Sequence, residues 1–152
     1  MLSASKEKLL SFLNGSSQYI IPFFQRSYVW KVENWSELWE NILEEYEELV
    51  VNNNLKSEHF IGTIIIKQLL TSQVGATEYE LIDGQQRMTT INLLLKAFHD
   101  ATLENSAKTW INKFLTIEDS YGNEKNRIQH SKVDREHFQT IIQNKEKKKK
   151  LW

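Results

Sequence analysis

The run Asp83-Gly84-Gln85-Gln86-Arg87 brings together the residue types needed to hold a phosphate. Glycine at 84 lets the backbone approach an anion closely, and the guanidinium of Arg87 can fork onto two phosphate oxygens. Free N–H groups at the start of a helix attract the same charge, and Gln85 and Gln86 would open such a helix. Thr89 and Thr90 add hydroxyl donors nearby. Asp83 can accept from a ribose hydroxyl or hold a magnesium ion that bridges phosphates. A plainer reading uses the same residues: Asp83 caps the helix with Gln86 as its capping-box partner, Gly84 eases the turn, and Arg87 is a surface charge. Spacing alone leaves both readings standing.

A second cluster lies upstream in Ile21-Pro22-Phe23-Phe24-Gln25-Arg26-Ser27-Tyr28-Val29-Trp30. Aromatics interleaved with arginine can stack a base while Arg26 holds its phosphate. Alternatively, Phe23, Phe24, Tyr28 and Trp30 anchor a loop over the core. His59 offers an acid or base beside an apolar strand, or a structural histidine. Arg127 offers one more phosphate contact, although nothing local demands it.

Positioning these residues requires an α/β framework. Residues 3–13 suit a short helix stopped at Asn14-Gly15, and Tyr19-Ile20-Ile21 a brief strand ended by Pro22. Asn34 can cap a long helix to about Val51, with Trp35, Leu38, Trp39, Ile42, Leu43, Tyr46, Leu49 and Val50 at helical spacing and glutamates on the opposite, solvated face. Phe60 to Ile66 is rich in β-branched residues and alternates little, which predicts a strand buried on both faces. Tyr79-Glu80-Leu81-Ile82 predicts a second strand that pairs with it as a hairpin across a polar loop near 71–77. The Asp83–Arg87 run thus falls where a strand gives way to a helix of about fifteen residues, a common ligand position in α/β proteins. Further helices are expected at 107–115 and 134–143, separated by a loop at 119–126 that turns at Tyr121-Gly122-Asn123.

A length of 152 residues suits one domain, here about 1–143, followed by a basic, low-complexity tail at 144–152. The composition, 40% hydrophobic and 26% charged, is that of a soluble globular protein. No apolar run approaches a membrane span and the start lacks a signal-peptide layout, so a cytoplasmic address is expected. The absence of cysteine excludes disulfides and thiolate chemistry, and the four histidines lack metal-ligand spacing. The net charge of −1 excludes a global basic field for gripping DNA.

The segments IPFFQRSYVW, HFIGTIII and ELIDGQQRMTTINLLL, in that order, closely resemble the amino-terminal domain of GmrSD-type, modification-dependent restriction endonucleases. The resemblance extends over about residues 5–143, including NRIQHSKVDREHFQTII. It implies a ParB/sulfiredoxin-like fold, a small mixed sheet flanked by helices, in which a Gly-x-x-Arg turn binds nucleotide phosphate. By resemblance, Asp83, Gln86 and Arg87 support nucleoside-triphosphate binding or hydrolysis, or phosphodiester chemistry. Gln25, Arg26, Gly84 and Gln85, with Thr89 and Thr90, would line the same pocket, Asp83 would position Mg²⁺ or water, and Gly62 would serve close packing. The expected function is a regulatory domain that binds, or binds and hydrolyses, a nucleoside triphosphate. Its DNA contacts and cleavage would come through the full-length protein and a carboxy-terminal nuclease domain or partner subunit absent from this chain. Two other readings stay open: a non-catalytic DNA-binding or protein-docking module, and a metal-dependent nickase centred on Asp83.

Overall fold

Leu81 is wholly buried at the middle of the strand Thr77–Asp83, and the rest of the sheet is arranged around that strand and its neighbour Ser17–Ile20. The computed structural model describes residues 4–52, 59–70, 76–130 and 132–143. The basic tail and residues 71–75 of the polar loop lie outside the described residues. In chain order the elements are α1 (Leu9–Phe12), β1 (Ser17–Ile20), α2 (Val32–Val51), β2 (Ile65–Gln68), β3 (Thr77–Asp83), α3 (Gln85–Ala101), α4 (Asn105–Leu115), β4 (Thr116–Glu118), β5 (Glu124–Asn126), β6 (Ile128–Gln129) and α5 (Lys132–Gln143).

The main sheet runs β2-β3-β1-β6, and β4 pairs with β5 in a separate two-stranded ribbon. β1 is parallel to both β3 and β6, whereas β2 is antiparallel to β3. Three parallel strands therefore end at one edge of the sheet. The chain leaves that edge as the 21–31 loop, as the start of α3, and at His130. This mixed α/β architecture is the one expected, and so is the β2–β3 antiparallel pair.

Side-chain chemistry explains the core. Leu13, Tyr19, Ile21, Leu81, Met88, Ile91, Phe114 and Ile128 form one buried cluster, and Ile111, Leu115, Phe138 and Ile142 form a second between α4 and α5. Tyr19 stacks on Phe12 at 4.5 Å and donates its hydroxyl to Phe12 O at 2.6 Å. Burial pushes that phenol up to about 12, so it stays a donor.

Four expectations change. The strand buried on both faces is instead β2, which begins at Ile65, lies at the sheet edge and has exposed positions at Ile65, Lys67 and Gln68. Its β-branched run reflects strand propensity without burial, and residues 59–64 have no regular secondary structure. The loop at 119–126 contains β5, closed onto β4 by the Asp119–Gly122 turn. Asp119 Oδ1 accepts from Tyr121 and Asn123 N–H at 2.9 Å each, which holds its carboxyl down at about 2. The first helix is a single turn. In α2 the N-cap is Lys31, and Asn34, three residues inside, accepts the Lys31 N–H at 3.0 Å.

Arg127 is the largest correction. It is 2% exposed, and its two terminal nitrogens donate to Gly15 O, Ser17 O, Lys113 O and Thr116 O at 2.7–3.0 Å. It staples the β1 and α4 ends to β6 from inside, and although its Nε has no partner among the described residues, its burial closes it to a phosphate from solvent.

Candidate functional site

Gly84 adopts a left-handed conformation (φ 93°) as the N-cap of α3, a geometry that a side chain disfavours. Space is limiting too, since a Cβ there would come within 3.2 Å of Ile64 Cγ1. Asp83 Oδ1 accepts the Gly84 N–H at 2.8 Å. The expected capping box does not form, because Gly84 occupies the cap and Gln86 is engaged elsewhere. No side chain caps the first N–H groups of α3, and Met88 is the first residue to donate within the helix, to Gly84 O.

The two glutamines bind the 21–31 loop to α3. Gln85 Nε2 donates to Arg26 O, and Gln86 Nε2 donates to Ser27 O at 3.1 Å. Gln86 Oε1 accepts the Val29 N–H at 2.9 Å, so its amide caps the loop backbone on two sides. Gln25 Nε2 reaches Ile82 O at 3.0 Å. One turn on, Thr90 donates to Gln86 O and accepts from the Tyr28 hydroxyl at 2.7 Å, and burial raises the Tyr28 phenol. Thr89 is buried beside His130, with Oγ1 3.4 Å from Nε2.

Arg87 points the other way. Its Nη2 donates to Thr63 O, and its guanidinium lies flat over Gly62, where a Cβ would be 3.0 Å from Cζ and 3.1 Å from Nε. Gly62 has φ 101°, so both backbone conformation and clearance call for glycine there. Among the described residues Arg87 Nε is buried with no partner, as are Gln85 Oε1, Asn92 Nδ2 and Arg127 Nε. Arg87 lines a cleft of about 230 Å³ together with Trp30, Asn34, Glu37, Asn41 and His59. His59 Nδ1 lies 3.7 Å from Glu45 Oε1, which ties the 59–64 segment to α2.

The chain belongs to the GmrSD restriction endonuclease N-terminal domain family. Its family model matches residues 9–152. No curated protein matches the chain.

Within this GmrSD N-terminal domain, the sequence-derived residues separate into groups. Asp83, Gly84, Gln85, Gln25 and Arg26 gather at the parallel-strand edge, with Asp83 and Arg26 exposed. Arg87 opens instead onto the cleft. Gln86, Thr89 and Thr90 are buried, and the contacts of their side chains lie within the fold. Nothing in the sequence marked Asn34, expected only as a helix cap, or Glu37 and Asn41 as cleft residues, because the polar side of an amphipathic helix reads as solvated. The signal for Gly62 was legible: an isolated glycine in a β-branched run marks a close approach.

For Mg²⁺, the donor set is thin. Among the described residues no three histidines, aspartates or glutamates group together, and Asp83 has one oxygen on Gly84 N–H. Asp83 suits only a single protein ligand to an ion carried in by phosphates.

Proposed function

We propose that this domain binds a nucleoside triphosphate and acts as the regulatory part of a restriction endonuclease, gating DNA cleavage carried out elsewhere in the protein or by a partner. The observation that carries the reading is the state of Arg87. It is held flat over Gly62, braced by Thr63 O, with an orphaned Nε and a cleft beside it in which Asn34, Glu37 and Asn41 mix with apolar side chains such as Leu38 and Ile61. A buried donor without a partner is costly, and a phosphate oxygen would satisfy it with a charge-assisted hydrogen bond. Asn34 and Asn41 supply neutral amide donors in the same cleft. The ParB-like kinship, with Gly84-x-x-Arg87 as the phosphate turn, belongs to this proposal, as do a cytoplasmic setting and a part in defence against phage DNA.

Hydrolysis calls for a water-orienting glutamine with an accessible amide, whereas the Gln86 amide is spent on Ser27 and Val29 and Gln85 Oε1 is buried. Binding that rigidifies the loop and the 59–64 segment is the role favoured by the contacts.

Thermal unfolding across a panel of ribonucleoside triphosphates, with and without magnesium, tests this. At a hundredfold excess over Kd, binding adds about 2.7 kcal/mol, or roughly 5–11 °C for a domain of this size. Arg87→Ala should abolish the shift. A flat response across the panel refutes the proposal. Salt-sensitive DNA binding without nucleotide would favour the DNA-binding module instead, for which the 80% and 66% exposure of Phe23 and Phe24 beside Arg26 is the supporting feature.

A further inference from the structure

The long helix α2 has none of its twenty residues buried, although half of them are apolar. Its attachment to the body is light: Trp35 meets Tyr28 edge-on at 6.2 Å, Trp39 meets Phe98 at 6.2 Å, and Glu45 reaches His59. Leu38 and Ile42 turn toward the body and are half-buried. Trp39, Leu43, Tyr46 and Val50 form a second, more exposed stripe that touches the body only where Trp39 meets Phe98, with Tyr46 63% and Val50 64% accessible.

The spacing of that stripe is specific. Its intervals are four, three and four residues, the alternation of a coiled-coil seam, and Val32 continues it one heptad earlier. At its upper end the stripe runs into an apolar groove of about 790 Å³ lined by Trp30, Trp35, Trp39 and Leu94. A neighbouring helix would find both a seam to pack on and a pocket for a large side chain.

Charge selects the neighbour. α2 carries seven glutamates (33, 37, 40, 44, 45, 47 and 48) and no lysine or arginine. Glu40 and Glu47 directly follow Trp39 and Tyr46, at the flanking positions whose charges choose a coiled-coil partner. A second copy of α2 packed antiparallel would set these glutamates against each other, and a parallel copy would set them against Ile42 and Leu49. Neither arrangement neutralises them. An anionic membrane would be repelled.

We infer that α2 is a docking helix for a basic amphipathic helix of a partner chain, which packs an apolar seam on Trp39, Leu43, Tyr46 and Val50 and sets lysines or arginines against Glu40 and Glu47. The expected geometry is a left-handed pair over about three turns, weakened by salt because the flanking charges are exposed.

The test uses the whole chain and two designed three-heptad peptides with the same isoleucine–leucine seam, one flanked by lysine and one by glutamate. Fluorescence anisotropy should show saturable binding of the lysine peptide, at least tenfold tighter than the glutamate peptide. Glu40→Lys with Glu47→Lys should invert that preference. Tyr46→Asp should abolish binding while leaving the thermal midpoint unchanged, since Tyr46 is outside the core. Failure of the lysine peptide to bind, equal binding of the two peptides, or wild-type binding by Tyr46→Asp each overturns the inference. So does concentration-dependent self-association of the wild-type chain that Tyr46→Asp abolishes, because a second copy would then be the occupant.

Discussion

Replacing Gly62 by alanine places a methyl group against the guanidinium of Arg87, at 3.0 Å from Cζ, 3.1 Å from Nε and 3.2 Å from Nη1. Two costs follow, and they are separable. The first is backbone strain at φ 101°, on the order of 1–2 kcal/mol for a residue with a Cβ, which lowers the thermal midpoint by roughly 2–8 °C. The second falls on the site. Arg87 must yield by a few tenths of an ångström or leave Thr63 O, and loss of an aligned charged hydrogen bond, about 1.5–3 kcal/mol, weakens nucleotide binding by roughly 10–150-fold. The assay is a double-mutant cycle with Gly62→Ala and Arg87→Ala, read by urea unfolding and by nucleotide titration. In the Arg87→Ala background the clash is gone, so only the backbone cost should remain. Strictly additive effects on stability, or unchanged nucleotide affinity in Gly62→Ala, would refute the reasoning that Gly62 is there to seat Arg87.

Two further outcomes concern the scaffold. Arg127→Met should cost more than about 3 kcal/mol in urea unfolding, because four carbonyls lose a charged donor inside the protein, and a cost below about 1 kcal/mol would contradict the staple. His130 is buried against Phe138 at 3.9 Å, and that burial holds its pKa at about 4, below its usual 6.5. The unfolded chain therefore takes up the proton first as pH falls. The stability contributed by neutral His130 is complete above about pH 6.5 and is lost between 6.5 and 4, amounting to about 2 kcal/mol by pH 5. Unfolding free energies of wild type and His130→Gln at pH 7 and pH 5 measure this directly, and an equal pH drop in both would count against it.

Much of the framework was legible from periodicity. The α2 and α3 helices, the β2–β3 antiparallel pair and the strand-to-helix junction at Asp83 all follow from spacing and turn chemistry, which act over a few residues. The two arginines show where that reasoning stops. Arg87 and Arg127 both sit in polar local sequence, and both invited a phosphate reading. One lines a cleft and the other is sealed among carbonyls from α4, β1 and the turn before it, contacts separated by up to 112 residues. No local pattern encodes such distances.

The glutamines of the signature make the same point from inside the motif. Residue type and order placed Gln85 and Gln86 at a helix start beside a glycine, and membership of the family follows from that order. What they do was decided by the return of the 21–31 loop along α3, which brings the Arg26, Ser27 and Val29 backbone within reach of their amides. The edge position of β2 was decided likewise by the parallel insertion of β1 between β3 and β6, not by its own hydrophobicity. Sequence alone determined the main helices, the β2–β3 pair, the turn glycines and the kinship, because these depend on local backbone preference and residue order. Tertiary structure alone decided which polar side chains face a cleft and which close the fold, because a buried donor is satisfied by whichever acceptor the topology delivers.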